Sequence, residues 1–142
     1  MKIGQLAKRA HTPVETIRYY EREALLPEPL RTAANYRHYQ PQHLERLLFI
    51  RQCRALDLSL AEIRTLLEVK DSPTAVCDTA NQVLDEHIQH VETRIHELQE
   101  LAQQLRQLRS QCQSESTASD CGILQSISQS NPVPVTSSSH IK

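Results

Sequence analysis

The chain has 142 residues, with 16 Lys plus Arg, 17 Asp plus Glu, four Cys and two Gly. That length fits one domain, or one small domain with an appended element. Gly4 and Gly122 stand far apart, which excludes the phosphate-cradling loops that need several glycines in close succession. The longest purely apolar run, Leu47 to Ile50, is too short to span a bilayer. Met1-Lys2-Ile3-Gly4-Gln5 turns polar at once, unlike a secretory signal. A cytoplasmic protein with reduced cysteines and no membrane partner is expected.

The net charge of −1 conceals a division. Residues 1–67 carry +4 and residues 68–142 carry −5. All four tyrosines lie in the first part, and Cys77, Cys112 and Cys121 lie in the second. The pattern predicts a polyanion-binding half followed by a thiol-bearing half.

In chain order, Ile3, Leu6, Ala7 and Ala10 mark one face of a first helix. Thr12 is the expected N-cap of a second, with Pro13 in its first turn and Val14, Ile17 and possible inward Tyr20 on its apolar side. Such a pair fits a helix-turn-helix. Pro27 and Pro29 interrupt helix, and Arg31 to Tyr39 fits a short hairpin, or wing. Pro41 opens a third helix through about Leu56, with Leu44, Leu47, Leu48, Ile50 and Cys53 on its apolar face. Ser59 and Glu62 form a capping box for a fourth helix ending near Val69. From about Thr74 to about Cys112 the chain reads as one helix, followed by a short helical turn at Ile123 to Ile127 and a mobile Ser/Pro-rich tail over 128–142.

On the long helix, Leu84, Ile88, Val91, Ile95, Leu98, Ala102 and Leu105 fall at alternating steps of four and three. This heptad seam calls for a partner helix. The register extends back through Asn81 to Cys77 and forward through Arg109 to Cys112. These cysteines lie 35 positions apart, about 50 Å along a helix, and cannot meet in one chain. In an antiparallel homodimer, Cys77 of one copy lies beside Cys112 of the other, and Cys121 can loop back to join them. Three thiolates suit soft or borderline ions such as Cd, Pb, Hg or Zn. Each cysteine taken alone also reads as buried filler, and Cys53 reads as core. Glu62, Asn81, Asp85, His87 and His90 outline a harder second metal site, which a solvated polar face explains equally well; His140 in the tail is left out of it.

Ile3-Gly4-Gln5-Leu6-Ala7, Glu15-Thr16-Ile17-Arg18-Tyr19-Tyr20-Glu21, Leu25-Leu26-Pro27 and Asn35-Tyr36-Arg37-His38-Tyr39 resemble the DNA-binding domain of the MerR family. The resemblance covers residues 1 to about 127. It implies a mainly α chain: a winged helix-turn-helix DNA-binding domain over 1–70, a dimerisation helix over 71–112 in an antiparallel coiled coil, and a metal-binding loop with a short terminal helix over 113–127. Leu84-Asp85-Glu86-His87-Ile88 and Cys121-Gly122-Ile123-Leu124-Gln125 look most like the cadmium- and lead-responsive branch, whose ligands correspond to Cys77, Cys112 and Cys121.

What the resemblance implies is a homodimer that sits on an over-long promoter spacer and, once metal-loaded, untwists and bends the duplex for RNA polymerase. Cd(II) or Pb(II) is the implied inducer, with Zn(II) or Hg(II) as alternatives. Thr16, Arg18 and Tyr19 then face the major groove and its phosphates, with Tyr20 either there or packed inward. Tyr36 and Arg37 grip backbone phosphate, with His38 and Tyr39 nearby, and at least one of the four tyrosines belongs to the core. A thiol redox sensor on the same scaffold, a mercury-specific regulator and an architectural DNA-binding protein are the competing readings. An enzyme is not expected, for want of a nucleophile–base pair in a motif context.

Overall fold

The computed structural model describes residues 1–112, 115 and 117–129. Its elements are α1 (Ile3–Ala10), α2 (Val14–Arg22), β1 (Leu30–Arg31), β2 (Arg37–His38), α3 (Pro41–Ala55), α4 (Leu60–Lys70), α5 (Asp78–Arg109) and α6 (Gly122–Gln129), with a single 3₁₀ turn at Ala118–Asp120. The fold is mainly α, as the periodicities require. Two compact units divide the chain, Met1–Gln89 and the remainder from His90.

In the first unit, the α1–α2 turn closes on His11, which adopts the left-handed conformation at φ 50°. Its backbone N–H caps α1 by donating to the Ala7 and Lys8 carbonyls. Thr12 is not the N-cap of α2. Its hydroxyl instead donates to the Ala10 carbonyl at 2.9 Å, and Pro13 takes the cap position. The restricted φ of proline is compatible with that entry, and its missing N–H is no loss there.

β1 and β2 pair antiparallel, Leu30 opposite His38 and Arg31 opposite Arg37. Asn35, at φ 66°, supplies the left-handed residue of the turn, a conformation Asn tolerates well. Pro41 stands in the first turn of α3. Ser59 caps α4 through Glu62 N–H donating to its hydroxyl at 3.1 Å, while Ser59 N–H donates to the Glu62 carboxylate at 2.9 Å.

The core of this unit gathers Leu6, Ile17, Leu25, Leu47, Ile50 and Ile63, each at most 1 % exposed. Cys53 lies in the same cluster, and burial pushes its thiol pKa up. Leu48, expected on the buried face of α3, is 43 % exposed. Its helix buries a narrower face, through His43, Leu47, Ile50 and Cys53. His43 is buried because every polar atom of its ring is used: Nδ1 accepts from Gln40 N–H at 2.9 Å, and Nε2 faces the Pro27 carbonyl at 3.2 Å.

α5 is a 32-residue helix, about 48 Å long. It is shorter at both ends than the span from Thr74 to Cys112. The Ser72-Pro73 turn delays its start, with Ala75 N–H donating to the Ser72 carbonyl, and Asp78 favours the first helical turn. At the far end the Ser110 hydroxyl donates to the Gln107 carbonyl, and Arg109 reaches the Cys112 carbonyl at 2.6 Å. Side chains thereby take carbonyls that a continuing helix would use. Cys77 and Cys112 consequently flank α5 instead of lying within it.

The terminal helix extends through Gln129, so Ser128 and Gln129 belong to α6 and not to a tail. The expectations for residues 130–142, His140 included, lie outside the described residues, as do Gln113, Ser114 and Ser116 of the loop. Among the described residues, no helix is long and apolar enough to cross a membrane.

Candidate metal centre and nucleic-acid interface

The helix-turn-helix presents one polar side of α2. Arg18 is exposed, Tyr19 is 39 % exposed, and Thr16 is half-buried. Arg22 lies over the Tyr19 ring, with its guanidinium carbon 5.9 Å from the centroid. On the wing, Tyr36 is 68 % exposed and Arg37 is also exposed. These side chains form a basic, aromatic surface of the kind that grips a phosphate backbone.

Tyr39 does not belong to that surface. Its ring is 1 % exposed, it packs edge-on against His43 at 5.3 Å, and its hydroxyl donates to Glu21 at 2.5 Å. Burial, and then the Glu21 carboxylate, push its pKa up to about 12. Tyr20 is the second inward tyrosine, 9 % exposed, with its pKa raised by burial. Tyr36 stays exposed on the wing, whereas Tyr39, past the end of β2, turns into the domain.

Glu21 was not among the residues singled out from sequence. Its side chain is 10 % exposed and accepts from both Tyr39 and Arg37, the latter at 3.2 Å. The only local signal was a carboxylate on an otherwise basic helix face. Arg46 was missed too: it donates to the Leu25 carbonyl at 2.6 Å and to Asp71 at 2.7 Å, and lowers the Asp71 pKa.

In the second unit, Cys112 and Cys121 come together. Both are half-buried thiols that are not joined in a disulfide. Cys121 directly precedes α6, and N–H groups of that helix start point at its sulfur. The hydrogen bond from Leu124 N–H, then that from Ile123 N–H and the contact with Cys112, hold its thiol below the usual range. Gly122 lets the two strands of the loop meet, because a Cβ there would run into the Gln111 carbonyl oxygen. Cys77 is exposed before α5, where its carbonyl accepts from Asn81 N–H at 2.9 Å.

The seam residues of α5 form an uncovered apolar stripe, with Leu84, Ile88, Val91, Ile95, Leu98 and Leu105 all 40–56 % exposed. Of the second candidate group, Glu62 and His87 meet: Nδ1 of the imidazole lies 3.3 Å from the carboxylate, and Nε2 faces the Leu56 carbonyl at 3.0 Å. His90 follows one turn along the same helix, where i and i+3 share a side. Asn81 and Asp85 are exposed on α5.

Residues 1–70 match the family model for MerR HTH family regulatory proteins, and residues 44–108 match the model "MerR, DNA binding". A ZntR homolog, an HTH-type transcriptional regulator of Haemophilus influenzae, is 51 % identical over 109 residues, covering 77 % of this chain and 81 % of its own. ZntR of Escherichia coli K12 is 38 % identical over 130 residues, covering 90 % of this chain and 92 % of its own. The crystal structure of the regulator PbrR691 from Ralstonia metallidurans CH34 in complex with lead(II) superimposes with a TM-score of 0.82 at 49 % identity, covering 89 % of this chain and 98 % of that one.

Proposed function

The chain belongs to the MerR family of helix-turn-helix transcriptional regulators, and from that premise we propose that it is a homodimeric activator of heavy-metal resistance genes. Its relatives are regulators and not enzymes. In this reading the dimer holds Cd(II) or Pb(II), or else Zn(II) or Hg(II), through Cys77 of one protomer and Cys112 and Cys121 of the other. The metal-loaded dimer then distorts its promoter so that RNA polymerase can use it.

The observation that carries the proposal is the pair Cys112–Cys121, gathered at the end of a helix whose apolar stripe is left open by the described residues. The N–H groups of α6 beside the Cys121 sulfur favour its thiolate, the form that binds metal, over its thiol. Covering the stripe with an antiparallel copy brings the far end of the partner's α5, and with it Cys77, to that pair. The lead(II) complex of PbrR691 supports a soft-metal ligand on the same fold.

Bending a promoter-length duplex costs of order 1–6 kcal/mol. Metal binding supplies such a bias only if the distorting state holds the ion more tightly than the other state does. The test is a metal competition series on the reduced dimer with Cd, Pb, Zn and Hg, read by thiolate-to-metal absorption. Each of Cys77→Ser, Cys112→Ser and Cys121→Ser is expected to abolish the site. Mixing Cys77→Ser with Cys112→Ser protomers restores one intact site per heterodimer; variants that bind like wild type refute the cysteine reading.

One observation favours a second, harder site on Glu62 and His87, for which His90, Asn81 and Asp85 are the further candidate ligands. With Nε2 of His87 committed to the Leu56 carbonyl, its Nδ1 is the atom turned to the Glu62 carboxylate. Loss of the second equivalent of metal in the His87→Ala, His90→Ala double variant supports this site, and unchanged stoichiometry removes it.

A further inference from the structure

Arg18, Glu21, Arg22 and Arg37 line a cleft of about 330 Å³ between α2 and the wing. A smaller cleft of about 180 Å³ adjoins it, where Glu28, Pro29 and Arg31 join Glu21, Arg22 and Arg37. Three guanidiniums around one carboxylate leave the larger cleft with a net positive charge. The carboxylate is the unexpected member, because an acid facing a polyanion weakens its binding.

Its geometry explains its presence. Glu21 is the least exposed of the group, at 10 % of its side chain, whereas Arg37 is 43 % exposed. One carboxylate oxygen accepts from Tyr39, whose ring is locked in the core, and the other accepts from Arg37 on β2. The two-stranded wing has no other sheet partner among the described residues. A two-stranded hairpin by itself is marginally stable. Glu21 therefore links a wing arginine to the recognition helix through a core-anchored carboxylate. The remaining donors of the Arg37 guanidinium are directed by that bond.

We propose that Glu21 is a positioning residue for DNA binding: it fixes Arg37 against α2 so that Arg18, Arg22 and Arg37 converge on one backbone phosphate. The carboxylate trades non-specific affinity for a defined wing-to-helix distance. This inference rests on the DNA-binding reading of the chain.

The test uses the full-length dimer, an operator duplex enriched by the wild type from a random-sequence pool, and a scrambled duplex of equal length, each titrated across a salt series. Glu21→Ala is expected to weaken operator binding roughly tenfold and to reduce the salt slope by about one phosphate contact per protomer. Binding to the scrambled duplex stays equal or tightens. Arg37→Ala gives a similar loss, and the double variant loses little more than either single one, since both remove the same contact.

Glu21→Gln, which keeps volume and one acceptor oxygen, falls between wild type and Glu21→Ala. Tyr39→Phe lowers thermal stability and, by releasing one of the two holds on Glu21 while keeping the Arg37 pair, weakens operator binding less than Glu21→Ala does. Additive losses in the Glu21/Arg37 cycle, equal tightening on both duplexes, or a Tyr39→Phe loss as large as that of Glu21→Ala would overturn the proposal. If the wild type enriches no sequence, the DNA-binding reading falls and takes this inference with it; an additive cycle with selective wild-type binding removes this inference alone.

Discussion

A methyl group added at Gly122 would meet the Gln111 carbonyl, whereas one added at Gly4 meets nothing within 4 Å. Gly4 lies exposed in the first turn of α1, so Gly4→Ala is expected to raise stability by about 0.5–1 kcal/mol, read from a thermal melt. Gly122→Ala forces the loop apart just where Cys112 and Cys121 meet. It is expected to weaken soft-metal binding about tenfold and, in metal-free protein, to slow diamide-driven Cys112–Cys121 disulfide formation; equal rates would mean that the loop yields elsewhere.

Tyr39 carries the pH dependence at this scale. Its folded pKa stands at about 12 against an ordinary 10, so the folded state binds the phenolic proton more tightly than the unfolded state does. The stabilisation is complete below pH 10 and is lost as pH rises through 12. Tyr39→Phe should cost about 1–3 kcal/mol at neutral pH, because it leaves a nearly buried carboxylate one donor short. The gap to wild type should close over pH 10 to 12 in urea titrations.

The helices differ in what holds them. α4 begins with a reciprocal cap between Ser59 and Glu62; Ser59→Ala is expected to lower stability by about 1 kcal/mol. α5 has a different source of order. Along its 32 residues only Val83 is buried, and the apolar stripe from Leu84 to Leu105 is open. Isolated helices gain most of their stability from packing an apolar face, so α5 depends on the copy proposed to cover it. Ile95→Asp places a charge in the middle of that stripe and is expected to convert the dimer to monomer in sedimentation velocity, with loss of soft-metal binding at the proposed three-cysteine site in the same sample.

For the whole molecule, the charge division separates two tasks. The first 67 residues carry +4 and the remainder −5, which favours seating the helix-turn-helix, and not the acidic remainder, on a polyanion. Operator affinity is therefore expected to fall steeply with salt. Adding Cd(II) or Pb(II) should shift that affinity only modestly while changing promoter twist, as read by topoisomer distribution of a closed circle. A large metal-driven loss of affinity, with no change of twist, would indicate simple release from DNA.

Local chemistry in the sequence was enough to locate most elements. Pro13 and Pro41 opened helices, Ser59 and Glu62 wrote a cap, and a heptad of Leu, Ile and Val marked α5, because each signal acts within a few residues of the backbone it shapes. The preference of a thiol for soft ions follows from residue type and needs no fold, whereas the meeting of the three cysteines is part of the proposal. Which tyrosines face outward was not legible: Tyr19 and Tyr20 are neighbours, and only the packing of α2 against the core buries the second. Glu21 gained its role from Tyr39 and Arg37, 18 and 16 residues away, and Gly122 from the carbonyl of Gln111. Such assignments belong to tertiary structure because they arise from distances between segments, and no local propensity encodes those.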